Sequence, residues 1–200
     1  MACKAWARQR WCVTCGQIIW YSLSLWTYKV TALETTLRSS PYKLPTLTLS
    51  IDDLYLPRSA QVELAESHPH NPLIQHRGEP STHDMTLGLE LFKALKDRAN
   101  NIRIPSYDKS MHNGKGDRLP ETAWRVINST DEKPIEVVIF EGWCVGFRSL
   151  SHRDVEKKWT HAREEGSKVA GQVDSRLARQ ELENVMFVND ALRQYDELTE

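Results

Sequence analysis

Hydrophobic positions fall into a regular pattern only from Val30 onward. "VTALETTLR" (30–38) sets Val30, Leu33 and Leu37 on one face of a short helix. "SSPYKLP" then turns the chain. "TLTLSI" (46–51) is a short apolar run bounded by Pro45 and two acids, which predicts a buried strand. "SAQVELAES" (59–67) predicts a short helix. "MTLGLELFKALKDR" (85–98) is the clearest helix, with Leu87, Leu91 and Leu95 at i, i+4, i+8 and Phe92 beside them. "NIRIP" (101–105) predicts a short strand, and "IEVVIF" (135–140) predicts the strongest one. A charged helix is expected over 151–165, then a second over about 168–182. "NVMFVN" (184–189) predicts another short strand, and a helix begins in "DALRQYDELTE" (190–200).

Strand and helix therefore alternate, which implies an α/β fold built on a mostly parallel sheet with helices on its faces. In such sheets ligands sit beyond the carboxyl ends of the strands. Two strands end on acids there. "LTLSIDDLY" delivers Asp52 and Asp53, and "VVIFEGW" delivers Glu141 followed by Gly142. A carboxylate at a strand end can take the proton of an attacking hydroxyl or help hold magnesium. Glycine after such an acid lets the backbone come close to a ligand. An isolated Asp-Asp more often opens a turn, so it is the pairing of the two strand ends that makes the case.

Other polar stretches offer further chemistry. "THDM" places Asp84 before the best helix, where it suits either an N-cap or a contact to a substrate hydroxyl. "YDKSMHNGKGDR" gathers Tyr107, Asp108, Lys109, Lys115, Asp117 and Arg118 in a loop with two glycines. Its cations suit an anionic substrate or a phosphate, and equally a solvated hairpin. His68, His70, His76 and His83 lie in one Pro-containing loop, a poor platform for the rigid ligand set that zinc requires.

Composition narrows the classes. The 200 residues suit one domain, and a net charge of -1 offers no single-sign field to draw a nucleic acid or a membrane surface. Cys3, Cys12, Cys15 and Cys144 form no disulfide framework, which points to a reducing, cytoplasmic compartment. Cys12 and Cys15 make a C-x-x-C without a second ligand pair, read as incidental thiols. Residues 1–28 hold four of the seven tryptophans and no sustained period, so they read as a separate Cys- and Trp-rich segment. Within it, "CVTCGQIIW" (12–20) is the one stretch suited to a strand.

"LSIDDLYLP", "NPLIQHRGEPSTHD", "IPSYDKSMHNGKGDR" and "VVIFEGWCVGF", in this order and spacing, resemble the D-glycerate 3-kinase-like P-loop kinases, and more distantly uridine kinase, pantothenate kinase and phosphoribulokinase. The resemblance runs from about Val30 to the end of the chain. It implies a P-loop NTPase-type parallel sheet with helices on both faces, and a partial kinase domain over residues 29–200. It implies transfer of the ATP γ-phosphoryl group to a small hydroxylated acceptor, with magnesium. Glycerate is the implied acceptor and a nucleoside such as uridine the runner-up. By resemblance Asp52 is the catalytic base, Asp53 its neighbour near the metal, and Glu141 the Walker B acid. Asp84, Tyr107, Asp108, Lys109 and Arg118 then face the acceptor.

The departures are as informative. The family places G-x-x-x-x-G-K-[ST] just ahead of the first helix. Here that stretch reads "GQIIWYSLSLWTYK", Gly16 is the only glycine before Gly78, and no Gly-Lys-Ser/Thr occurs. Without that loop the backbone N–H ring for the β-phosphate, the lysine and the magnesium-binding hydroxyl are missing. Family members also continue with further helices, so the chain reads as the middle of a kinase. The expectation is impaired phosphotransfer, or a pseudokinase that keeps its acceptor loops as a binding module.

Overall fold

The computed structural model describes residues 17–21, 27–168 and 176–199. Its centre is a parallel sheet of β1 (Gln17–Tyr21), β7 (Val137–Glu141) and β2 (Thr46–Ser50), in the order β1-β7-β2. The register sets Tyr21 and Ser50 on either side of Glu141, so all three strands end at one edge. β7 is the middle strand, as its unbroken apolar run requires.

Successive β7 side chains point to opposite faces. Val137 and Ile139 meet Val30, Leu33 and Leu37 of α1 (Thr27–Arg38). Val138 and Phe140 point the other way and join Leu47, Leu49 and the apolar face of α3 (Met85–Lys96). Phe140 is 1% exposed and meets Phe92 edge-on, with ring centroids 4.9 Å apart. Burying an aromatic side chain of this kind contributes about 1.5–3 kcal/mol. The sheet is thus covered on both faces, as the predicted α/β class demands.

The remaining elements hang from this frame. α2 (Arg58–Ser67) follows β2 after a single 3-10 turn, Ile51–Leu54. β3 (Ile102–Ile104) pairs antiparallel with β6 (Arg125–Ile127), and Ile102, Ile104 and Ile127 extend the core beneath α3. β4 (Tyr107–Asp108) and β5 (Asp117–Arg118) form a small hairpin. α4 (His152–Lys168), α5 (Leu182–Ala191) and α6 (Asp196–Thr199) close the described chain.

Two sequence expectations are corrected. "NVMFVN" is helical, within α5, not a strand. Four consecutive apolar residues have no period of their own, and here the stretch packs on α4 and on the turn at Pro72–Ile74 instead of a sheet edge. The helix expected over 168–182 gives way, where described, to a 3-10 turn at Arg176–Arg179. The stretch suited to a strand within residues 12–20 supplies one where it is described. β1 lies within the Cys- and Trp-rich segment and pairs along its whole length with β7. Cys3, Cys12 and Cys15 fall outside the described residues; Cys144 is a buried free thiol. Among the described residues, no helix is long and apolar enough to cross a membrane.

Candidate active site

The acidic edge is built by one turn. Ser50 ends β2, and its hydroxyl accepts the Asp52 N–H at 3.4 Å, capping the Ile51–Leu54 turn. Ile51 and Leu54 go into the core, which leaves Asp52 and Asp53 half-buried at the sheet edge beside Glu141. The glycine after Glu141 has a different task from the one its sequence position suggests. A Cβ on Gly142 would lie 2.2 Å from Ile51 Cγ2. Its missing side chain admits Ile51, and so locks the end of β7 to the acidic turn.

Burial pushes the Asp53 carboxyl above the usual carboxylate range, and the charges of Asp52 and Glu141 add to that. The Tyr107 N–H, donated to Asp53 Oδ1 at 3.2 Å, and Lys109 pull the other way. Mutual repulsion among three acids at one edge is the electrostatic signature of a place suited to a cation. Among the described residues, no three His, Cys, Asp or Glu side chains enclose a metal site by themselves. Magnesium in phosphotransfer sites takes one or two carboxylates and completes its shell with water and phosphate. Asp53 and Glu141 fit that requirement.

Beside this edge opens a cleft of about 750 Å3. Asp52 and Tyr55 line it, α2 contributes Arg58 and Gln61, and Arg77, Lys109 and Lys115 complete the polar lining. Lys109 Nζ lies 2.5 Å from Asp52 Oδ2. The Tyr55 hydroxyl is within hydrogen-bonding reach of Asp52, and its proton is held tightly by burial and by that negative charge. Tyr55 stacks on His83 at 4.4 Å between ring centroids and meets Tyr107 edge-on. His83 is itself buried, with its Nδ1 2.7 Å from the Tyr195 hydroxyl. Burial lowers its pKa to about 4 against the pull of Asp52, so the imidazole is neutral near pH 7.

The loops around the cleft are tied by residues that the sequence assigned to the acceptor. Asp84 caps α3, its Oδ1 accepting the Leu87 N–H at 3.0 Å. Its other oxygen takes Arg118 Nη1 at 2.9 Å, and Arg118 Nη2 donates to the Tyr55 carbonyl at 2.7 Å. This pair joins the hairpin, the start of α3 and the acidic turn, and it is absent from the cleft lining. Asp108 turns back on its own hairpin, accepting from Ser110 N and Oγ, and those bonds hold its pKa low. Tyr107 lies between the two groups, its ring under the Arg77 guanidinium at 5.6 Å. Gly116, at φ +75°, leaves room for that ring, since a Cβ there would sit 2.5 Å from Tyr107 Cε1.

Of the expected site residues, the structure brings Asp52 and Lys109 into the cleft and places Asp53 and Glu141 at its acidic edge. Asp84, Asp108 and Arg118 hold the surrounding loops. Tyr55, Arg58, Arg77 and His83 were missed. Arg77 stands inside the distinctive "HRGEP" stretch, which was a usable signal; His83 gave none, because its stacking partner is distant in sequence. The histidine-rich loop disperses: His76 lines the cleft, His68 meets Phe187, and His83 is in the core.

A parallel sheet with α-helical cover on both faces and strand-end carboxylates beside a ligand cleft defines an α/β protein of the P-loop kinase type. No family model matches the chain. It is 47% identical over 102 residues to the uncharacterized kinase mug58 of Schizosaccharomyces pombe, covering 50% of this chain and 36% of that protein. It is 35% identical over 127 residues to the chloroplastic D-glycerate 3-kinase of Arabidopsis thaliana, covering 62% and 26%. Among solved structures, D-glycerate 3-kinase from Cryptococcus neoformans superposes with a TM-score of 0.75 at 32% identity, over 96% of this chain and 62% of that one. The YGR205w protein superposes at 0.68 with 26% identity, over 93% and 58%. By sequence and by fold the chain is similar to the glycerate-kinase-like P-loop kinases. The matched stretches span about a third of the curated relatives' own length.

Proposed function

We propose that the chain carries the acceptor side of an ATP-dependent small-molecule kinase, for a hydroxylated acid of the D-glycerate kind. The observation behind this is the juxtaposition of Asp52 with a cation-lined cleft. An acid acceptor entering there meets Lys109 through its carboxylate. Its hydroxyl then faces Asp52, which takes the hydroxyl proton as general base. Lys109 leaves Asp52 for the acceptor carboxylate, which frees the base when an anionic acceptor is present. Four cations against two carboxylates in the lining favour an acid over an uncharged nucleoside such as uridine. ATP with magnesium, where bound, supplies the γ-phosphoryl group. Asp53 and Glu141 are the residues that would hold the ion.

The nucleotide side is built differently. β1 and α1 are joined by Ser22-Leu23-Ser24-Leu25-Trp26, without a glycine or a lysine. That composition favours a second reading, an acceptor-binding module of kinase descent with weak MgATP binding. Calorimetric titration separates the two. We expect D-glycerate to bind, with loss of binding in Lys109→Gln, and MgATP to show no micromolar affinity. Micromolar MgATP binding, with ADP release dependent on D-glycerate and abolished in Asp52→Asn, would restore the active-kinase reading. Absence of any D-glycerate binding would remove both.

A further inference from the structure

The cleft is larger than the acceptor its relatives' names suggest. About 750 Å3 lies in the range that holds ligands of drug size, far beyond a three-carbon acid. Its cations also fall into two groups. Lys109 pairs with Asp52. Arg77 and Arg58 both act on the Tyr107 hydroxyl, opposed there by Asp117, and Lys115 lines the same cleft. Among the described residues, the ion pair of this cleft is Lys109–Asp52, and Arg58, Arg77 and Lys115 take part in none. Arg77 is also fixed in place: it donates to the carbonyls of Gly114 and Lys115 and lies over the Tyr107 ring. A guanidinium held this way is pre-organised for an anion, because little freedom is lost on binding.

We propose that the cleft takes an acceptor with two anionic ends, its hydroxyl acid end at Asp52 and Lys109, and a second group, phosphate or carboxylate, at Arg58, Arg77 and Lys115. The Asp52 end rests on the function proposed above; the second anion subsite stands on its own residues. Val62 and Ala65 of α2 line the same cleft and offer a short carbon chain apolar contact. The acceptor class is therefore an extended hydroxy acid that is either phosphorylated or dicarboxylic.

The test is calorimetric titration of the full chain with 4-phospho-D-erythronate, a four-carbon aldarate, D-glycerate and inorganic phosphate, at low and at physiological salt. At least one two-anion compound is expected to bind about tenfold or more tighter than D-glycerate, and the advantage shrinks with salt. The phosphate and dicarboxylate arms decide which second group is used. Lys115→Gln and Arg58→Gln each reduce that advantage about three- to tenfold, the range for charge-assisted bonds in a part-solvated cleft. Circular dichroism of each variant verifies its fold. Equal affinity for one- and two-anion compounds, or an advantage indifferent to both substitutions, overturns the proposal and leaves the acceptor reading standing. A two-anion advantage that survives Asp52→Asn and Lys109→Gln undiminished, with no D-glycerate binding, overturns the acceptor reading and leaves only the second anion subsite.

Discussion

β1 and β2 flank the same central strand, run parallel to it, and release the chain at the same edge of the sheet. The connections that leave them differ completely. After β2 come Asp52 and Asp53 on a turn capped by Ser50 and locked by Ile51 against Gly142. After β1 come two serines, two leucines and a tryptophan. Equivalent positions on one scaffold therefore do not carry equivalent chemistry. A strand sets where a connection starts, and the connection's own residues decide what it can hold. In this chain the connection after β2 is furnished with charge and hydrogen-bonding groups, and the one after β1 is furnished with apolar bulk.

The widest effect is expected from making the two connections alike. Replacing residues 22–26 with a Gly-rich loop ending in Gly-Lys-Ser should raise MgATP affinity roughly a hundredfold, equivalent to about 3 kcal/mol. Calorimetry reads this directly, and an unchanged affinity would break the contrast drawn between the two connections.

A comparable effect concerns the buried support behind the acceptor side. His83 has a folded pKa of about 4 against an ordinary value of 6.5, with Tyr55 and Tyr195 packed on it and the charge of Asp52 opposing the shift. Above pH 6.5 both folded and unfolded states hold it neutral. As pH falls from 6.5 to about 4 the unfolded chain takes a proton that the folded one refuses. Stability should drop by roughly 3 kcal/mol over that window and by nothing more from this group below it. Asp53 and Glu79, whose pKa values are raised by burial, bind protons more readily in the folded state and work the other way at the acid end. The His83 share is the difference between wild type and His83→Phe in urea melts at pH 7 and pH 4.5. Parallel pH dependence in the two proteins would refute it.

Gly142→Ala should cost about 1–3 kcal/mol, because Ile51 must leave its place at the end of β7. Urea denaturation measures it, and a neutral outcome would show that the acidic turn is not locked there. The smallest stability effect is expected at Lys109→Gln. Lys109 is more than half exposed, so its loss should change stability by less than about 1 kcal/mol while weakening D-glycerate binding. A large stability loss with intact binding would reverse that division of labour.

The frame was legible in sequence wherever burial imposes a period. β2, β7 and α3 declare themselves because their apolar residues must face a core. The acids at the ends of β2 and β7 declare themselves because a parallel sheet aligns its strand ends. α5 was misread, since its apolar run is as compatible with a half-buried helix as with a strand. Asp84 and Arg118 were set toward the acceptor by the family resemblance, and their separation of 34 positions hides that they also bind each other. The Tyr55–His83–Tyr195 stack was out of reach for the same reason, with Tyr195 lying 112 residues beyond His83.

The central place of β7 also sets the order in which the sheet can assemble. Its partners in β2 lie about 90 residues earlier in the chain, and those in β1 about 120. Among the described residues, neither flanking strand has a neighbour until β7 arrives, so both wait through synthesis or refolding with bare edges. Closing loops of that length is entropically slow to begin, and exposed apolar strands are what other chains add to. The same interleaving that brings three acids to one edge makes this sheet a late and concentration-sensitive event in folding, one that dilution or a chaperone should favour over aggregation.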